Sequence, residues 1–174
     1  MPKRIKEVPK FINKNIVEIT GLNPKTIDFY TKTGVVLPSI FAGMGKGTAR
    51  IYSAEDVLKF MLIPVLSDNG LSLEKIKKVF DLVKVELFKP SNPHLYHGLP
   101  NTRAILSVYD YERDDFTAQV VFPPDPEVIA DPKVKTKMEE NLKSFTVDML
   151  SHKSILMVDI TQTVRKMKEV ENLV

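Results

Sequence analysis

Gly21-Leu22-Asn23-Pro24-Lys25-Thr26-Ile27-Asp28-Phe29-Tyr30 is the stretch around which residues Phe11 to about Phe80 are organised. Gly21 reads as a tight turn, Asn23 as a polar cap, and Pro24 as a proline at the first helical position, where its missing N–H costs nothing. A short helix over Asn23–Thr31 follows, with Ile27 and Phe29/Tyr30 turned toward a small core. Before it, Asn13 or Asn15 caps a first helix over Ile16–Thr20, which Gly21 stops. Two short helices around a glycine turn make a helix-turn-helix unit.

After Gly34 the text changes. Val35-Val36-Leu37-Pro38 is a β-branched, extended segment, Ser39–Lys46 a glycine-rich loop, and Gly47-Thr48-Ala49-Arg50-Ile51-Tyr52 a second extended segment. The two segments are expected to pair as a β-hairpin wing. Gly43-Met44-Gly45-Lys46-Gly47-Thr48 is not a phosphate-binding P-loop, because Gly-Lys is followed by Gly rather than Ser or Thr. Ser53-Ala54-Glu55-Asp56 is a helix start with a serine cap and an acidic first turn. That helix runs toward Asn69-Gly70, and Pro64 inside it is expected to kink or break it. Ser72 caps a further helix, Leu73–Phe88. Its stripe of Leu73, Ile76, Phe80, Val83 and Leu87 has coiled-coil spacing for barely two heptads before Pro90, too short for a lone zipper.

Residues 90–101 carry Pro90, Pro93, Gly98 and Pro100 and mark a linker. Beyond it, Arg103–Tyr111 and Phe116–Phe122 read as a hairpin around the charged turn Glu112–Asp115, with Phe116, Ala118, Val120 and Phe122 on one face. Asp131-Pro132 opens a helix striped by Val134, Met138, Leu142, Phe145 and Met149. Ser154–Ile160 reads as a buried strand, and Thr161 caps a last amphipathic helix bearing Val164, Met167 and Leu173. The expected fold is therefore α+β. An all-helical winged helix-turn-helix domain at 10–89 is followed by a small β-β-α-β-α domain at 100–174 with a mixed or antiparallel sheet.

Charge and composition narrow the function. The chain has 174 residues, no cysteine and a net charge of +3. Disulfides, thiolate metal sites and cysteine redox chemistry are thereby excluded. Residues 1–90 hold 15 Lys and Arg against 9 Asp and Glu, and residues 91–174 hold 10 against 13. A basic first half joined to an acidic second half fits a polyanion-binding module attached to something that does not touch the polyanion. The basic arm over residues 1–10 either lies against phosphates or frays. The start of the chain lacks the apolar core of a signal peptide, and Phe60–Leu66 is far too short to span a bilayer, so a soluble cytoplasmic protein is expected. His94 and His97, with His152 apart, lack the company of a metal site and read as solvated or hydrogen-bonding residues. The acidic group Asp110, Glu112, Asp114 and Asp115 reads as a polar turn, and Met138, Met149, Met157 and Met167 as core filler. No cofactor and no catalytic activity are expected, because no nucleophile–base pair is evident.

The helix after Gly21 begins with small polar and basic side chains, which suits end-on insertion into a DNA major groove. The first half also resembles the MerR family of bacterial transcription regulators. The resemblance rests on Gly21–Tyr30, Thr33–Pro38, Gly47–Val57 and Asn69–Ile76, in that order and spacing. It implies that Lys25, Thr26 and Tyr30 lie on the DNA-facing side of the recognition helix, and Lys46, Thr48, Arg50 and Tyr52 on the wing. With Asn23 and Lys32 these form the candidate DNA-binding set. Lys and Arg would neutralise phosphates and the hydroxyls would fix register. The resemblance further implies a homodimer on double-stranded promoter DNA, with an effector or RNA polymerase contact as a further possibility. Asp28 departs from the pattern: it stands where the family usually has arginine, and a carboxylate there weakens binding unless Lys25 or Lys32 offsets it. The alternative reading is a protein-interaction or scaffold module whose DNA-binding surface has weakened. Pro64, the early stop at Pro90 and the unrecognised second domain depart from the family as well.

Overall fold

A computed structural model describes residues 9–45, 47–87, 104–121 and 151–172. Contacts divide the chain into two compact units, one of residues up to 77 together with those from 165 onward, the other of residues 78–164.

In the first unit, α1 (Asn13–Thr20) starts one turn earlier than the sequence suggests. Asn15 does act at its start: the Ile12 amide donates to the Asn15 side chain at 3.0 Å. Gly21 ends the helix with φ 73°, donating its N–H to the Val17 carbonyl at 2.8 Å. A side chain there would be strained in this left-handed conformation, so glycine is the residue that fits. The Thr20 hydroxyl donates to the Ile16 carbonyl at 2.6 Å and accepts from the Leu22 amide at 3.1 Å, closing the turn. Asn23 then caps α2 (Pro24–Lys32), accepting from the Lys25 amide at 2.9 Å.

Helix α3 (Ala54–Asp68) is not broken at Pro64, which lies inside it. The proline removes one backbone bond, but Phe60, Leu62, Ile63 and Leu66 around it are fully buried. Each such side chain contributes about 1.5–3 kcal/mol, which together exceeds the roughly 3 kcal/mol an interior proline costs. The helix opens as a capping box, with the Ser53 hydroxyl accepting from the Asp56 amide and the Asp56 carboxylate accepting from the Ser53 amide. Ser72 precedes α4 (Leu73–Leu87), in which Ile76, Val79, Phe80 and Val83 are buried, while Leu82 is exposed.

The wing differs from the expected hairpin. Val35 and Val36 form a bend rather than a strand, with Val36 fully buried. The pairing falls later: Phe41 and Ile51 exchange both backbone bonds, and Tyr52 does the same with Phe11 before α1. The base of the wing is fixed to α3, because Asp56 Oδ2, 1% exposed as a residue, accepts from both the amide and the hydroxyl of Ser39.

In the second unit, β1 (Ile105–Tyr109) is the central strand of an antiparallel sheet, with β2 (Thr117–Val121) on one side and β3 (Ile155–Asp159) on the other. Of the four residues expected on one face, Phe116 and Val120 are buried and Ala118 is half-buried, while Phe122 lies outside the described residues. Strand β3 is not the buried strand its apolar text suggests. It lies at the sheet's edge, with Val158 inside and Met157 45% exposed. A last helix, α5 (Thr161–Asn172), starts in this unit and continues from residue 165 as part of the other; its Val164 and Met167 are buried. Its start is tied to β1, the Ala104 amide donating to the Thr161 hydroxyl at 2.9 Å. The described residues are thus mixed helix and antiparallel sheet. The linker at 90–101, the helix expected after Asp131, His94 and His97 lie outside them.

Candidate nucleic-acid interface

Helix α2 shows two faces. Ile27 and Thr31, one turn apart, are buried, and the Thr31 hydroxyl is satisfied inside by the Ile27 carbonyl at 2.9 Å and the Tyr52 hydroxyl at 3.0 Å. The opposite face carries Lys25, Asp28, Phe29 and Lys32, with Thr26 and Thr33 beside them. Phe29 is 50% exposed, which overturns its expected place in the core. Leaving half of a phenylalanine ring in water forgoes on the order of 1–2 kcal/mol of burial. Its ring lies 5.7 Å from that of the half-buried Tyr30.

Tyr52 requires the opposite correction. The resemblance puts it among the wing's DNA contacts, yet it has no accessible surface and packs edge-on against Phe60 with centroids 5.6 Å apart. With its hydroxyl bonded to Thr31, it is a core residue and cannot reach a ligand.

Asp28 is the centre of the outer arrangement. Its Oδ2 lies 2.6 Å from Lys32 Nζ, one turn on, and its Oδ1 accepts from Arg50 at 2.7 Å. The helix is thereby linked to the wing across twenty-two positions of sequence. The bonds from Lys32 and then Arg50 hold the Asp28 carboxyl below the usual aspartate range, and the same carboxylate raises the already high Arg50 value. Gly43 brings the loop close to this pair: with φ 83°, a Cβ there would stand 3.4 Å from the Thr48 carbonyl and 3.7 Å from Arg50 Cγ. An open groove of about 690 Å³ runs here, lined in part by Asn13, Lys14, Asp28, Lys32, Gly43 and Arg50.

The remaining candidates are distributed as follows. Asn23, Lys25 and Lys32 are exposed, and Thr26 is partly so. Thr48 lies on the wing, but its hydroxyl accepts from the Met44 amide at 2.8 Å and donates to the Gly45 carbonyl at 2.7 Å, so it shapes the loop. Lys46 falls outside the described residues. Phe29 and the Asp28–Arg50 link are what the sequence reading missed. The 27/31 spacing was the available signal for the first; the second had none. Away from this surface, His152 pairs with Asp110 at 3.0 Å. Among the described residues no group of three or more His, Asp or Glu is placed to hold a metal, and no helix is long and apolar enough to cross a membrane.

With this geometry in view, the family described as MerR HTH family regulatory protein matches residues 14–82. That match covers less than half of the chain. The match runs from α1 through α2, the wing and α3 into α4. An uncharacterized HTH-type transcriptional regulator of Mycobacterium tuberculosis and one of Mycobacterium bovis are each 34% identical over 64 residues, covering 37% of this chain and 28% of those proteins. A putative heat shock protein HspR of Streptomyces coelicolor is 32% identical over 77 residues, covering 44% of this chain and 48% of that protein. The chain thus spans less than half the length of each of these relatives.

Proposed function

We propose that the MerR-type unit binds double-stranded DNA with sequence preference, α2 entering the major groove and the wing lying along the backbone, and that the protein is a transcriptional regulator. The observation that carries this is the outer face of α2, where Lys25, Lys32 and Phe29 stand exposed beside the wing residue Arg50. Asn23, Lys25, Thr26, Tyr30, Lys32, Lys46, Thr48 and Arg50 form the proposed interface, and Tyr52 supports it from beneath. Asp28 fixes Arg50 against the recognition helix, so that wing and helix approach DNA as one piece. The printed names of the relatives, two of them transcriptional regulators, support this reading.

A homodimer at promoter DNA, inside the cytoplasm, follows from the same reading. We place the DNA-binding domain at 10–89 and a second domain at 100–174, the latter serving dimerisation, an effector or contact with RNA polymerase, and we assign the chain no catalysis. The second reading, a protein-interaction module with a weakened DNA surface, is favoured by the charge that Asp28 withdraws from Lys32 and Arg50.

A mobility shift of the full chain on genomic fragments over a salt series separates the two. The regulator gives a sequence-dependent complex whose log affinity falls steeply with log salt, by about 0.9 per phosphate neutralised. Absence of any complex at low salt would leave the interaction module standing.

A further inference from the structure

Helix α2 exposes one large apolar side chain, and it stands among cations. Phe29 is 50% exposed while Ile27 is wholly buried. Lys25 and Thr26 precede it by four and three residues, Lys32 and Thr33 follow by three and four, so these are its neighbours on the helix surface. The Thr33 hydroxyl donates to the Phe29 carbonyl at 2.9 Å, and the ring leans on Tyr30, so both backbone and ring are held. Asp28, beside it, is occupied by Lys32 and Arg50.

An apolar group within a cationic face suits a surface that is itself anionic at its edges and apolar at one point. The major groove has that character at thymine, whose C5-methyl is its only apolar group and lies between phosphate-lined walls. We infer that Phe29 reads thymine by packing against its C5-methyl, while the lysines flanking it meet phosphates. Phe29 is thus a specificity-determining residue, and Lys25 and Lys32 set affinity without base preference. The inference rests on the DNA-binding reading proposed above and names what its recognition helix selects.

The test uses the full chain and a site obtained by binding selection. Each thymine of that site is replaced singly by deoxyuridine, which removes the methyl and leaves pairing intact. The expected result is a loss of about fourfold at one thymine of each half-site, the worth of one buried carbon at about 0.8 kcal/mol. Phe29→Ala should bind the thymine and deoxyuridine sites equally, and Phe29→Leu should keep part of the difference. A specific complex that tolerates every deoxyuridine equally overturns the inference alone. So does a Phe29→Ala chain that retains the methyl preference, or one that binds DNA unchanged and loses self-association in sedimentation, which would assign Phe29 to a protein contact. Failure to select any specific site overturns the DNA-binding reading and this inference with it.

Discussion

At the junction of α2 and the wing, Asp28 is held by two cationic side chains, Lys32 and Arg50, on a surface where its own side chain is 36% exposed. At the junction of β1 and β3, Asp110 is held by His152 at 3.0 Å, by the Lys153 amide at 3.0 Å and, more distantly, by Arg113 at 3.9 Å. Both aspartates join segments far apart in sequence, and both are held below the usual aspartate range. They differ in what stands behind them. Asp110 has positive φ, 53°, a conformation that aspartate tolerates better than most residues; its backbone amide donates to the Ser154 carbonyl, and the His152 ring lies tilted against Tyr109 with centroids 4.7 Å apart. It closes a turn. At the Asp28 junction the buried layer is the Thr31–Tyr52 hydroxyl pair. A carboxylate that is itself solvent-accessible, between an exposed lysine and a half-buried arginine, adds little to stability, because solvent and salt screen it. It does decide where those cations point.

The sharpest way to break the first junction is from below. Tyr52→Ala removes a fully buried ring and is expected to destabilise the first unit by about 3–5 kcal/mol, whereas Tyr52→Phe removes one hydrogen bond and costs about 1 kcal/mol. Denaturant unfolding measures both, and Tyr52→Phe should shift DNA as the wild type does if the residue is purely internal. Next in size is Arg50→Ala. It should weaken binding to all sequences alike and lower the salt slope by about 1; a changed base preference would remove Arg50 from the phosphate contacts.

Asp28→Arg follows, with an effect of opposite sign in two assays. DNA binding at low salt should tighten by about tenfold as a negative charge becomes positive in a phosphate-facing set. The free protein should become slightly less stable, because three cations then meet, and added salt should restore it. Unchanged affinity would mean that this position does not face DNA.

The smallest effect is expected from Asp110→Asn, and it is separable by pH. The folded Asp110 carboxyl has a lowered pKa, so its contribution is complete above the ordinary aspartate value of about 3.9 and disappears as pH falls through the lower folded value. Thermal melts should therefore show wild type above Asp110→Asn at neutral pH, with the gap closing only in acid below about pH 4. A gap that closed between pH 8 and 5 would show that Asp110 ionisation is not its source.

Much of the first unit was legible because its signals are short-range. The Asn23 cap, Pro24, Gly21 and the Ser53 capping box each act within a few residues, and all stand where the sequence puts them. The errors share a cause. Phe29 is expected inside from its apolar type and Tyr52 at the DNA from the family resemblance, while the phase of α2 is set by Ile27 and Thr31. Thr31 does not advertise itself as a core residue, and becomes one only because Tyr52 arrives to share its hydroxyl. Strand β3 reads as buried from its apolar run, yet a strand's burial depends on whether neighbours cover it, and β3 has a partner on one side in the described sheet.

By itself the sequence determined the helix-turn-helix and its order of elements, because caps, glycine turns and periodicity are local and each element carries its own. It also determined that Asp28 would sit on α2 amid basic residues. Only the tertiary structure decided what that carboxylate does. Arg50 lies twenty-two positions away, and a bond across that span depends on how the loop closes, on Asp56 holding Ser39 and on Phe41 meeting Ile51. None of these is encoded near Asp28, so the link between helix and wing exists only once the chain has folded.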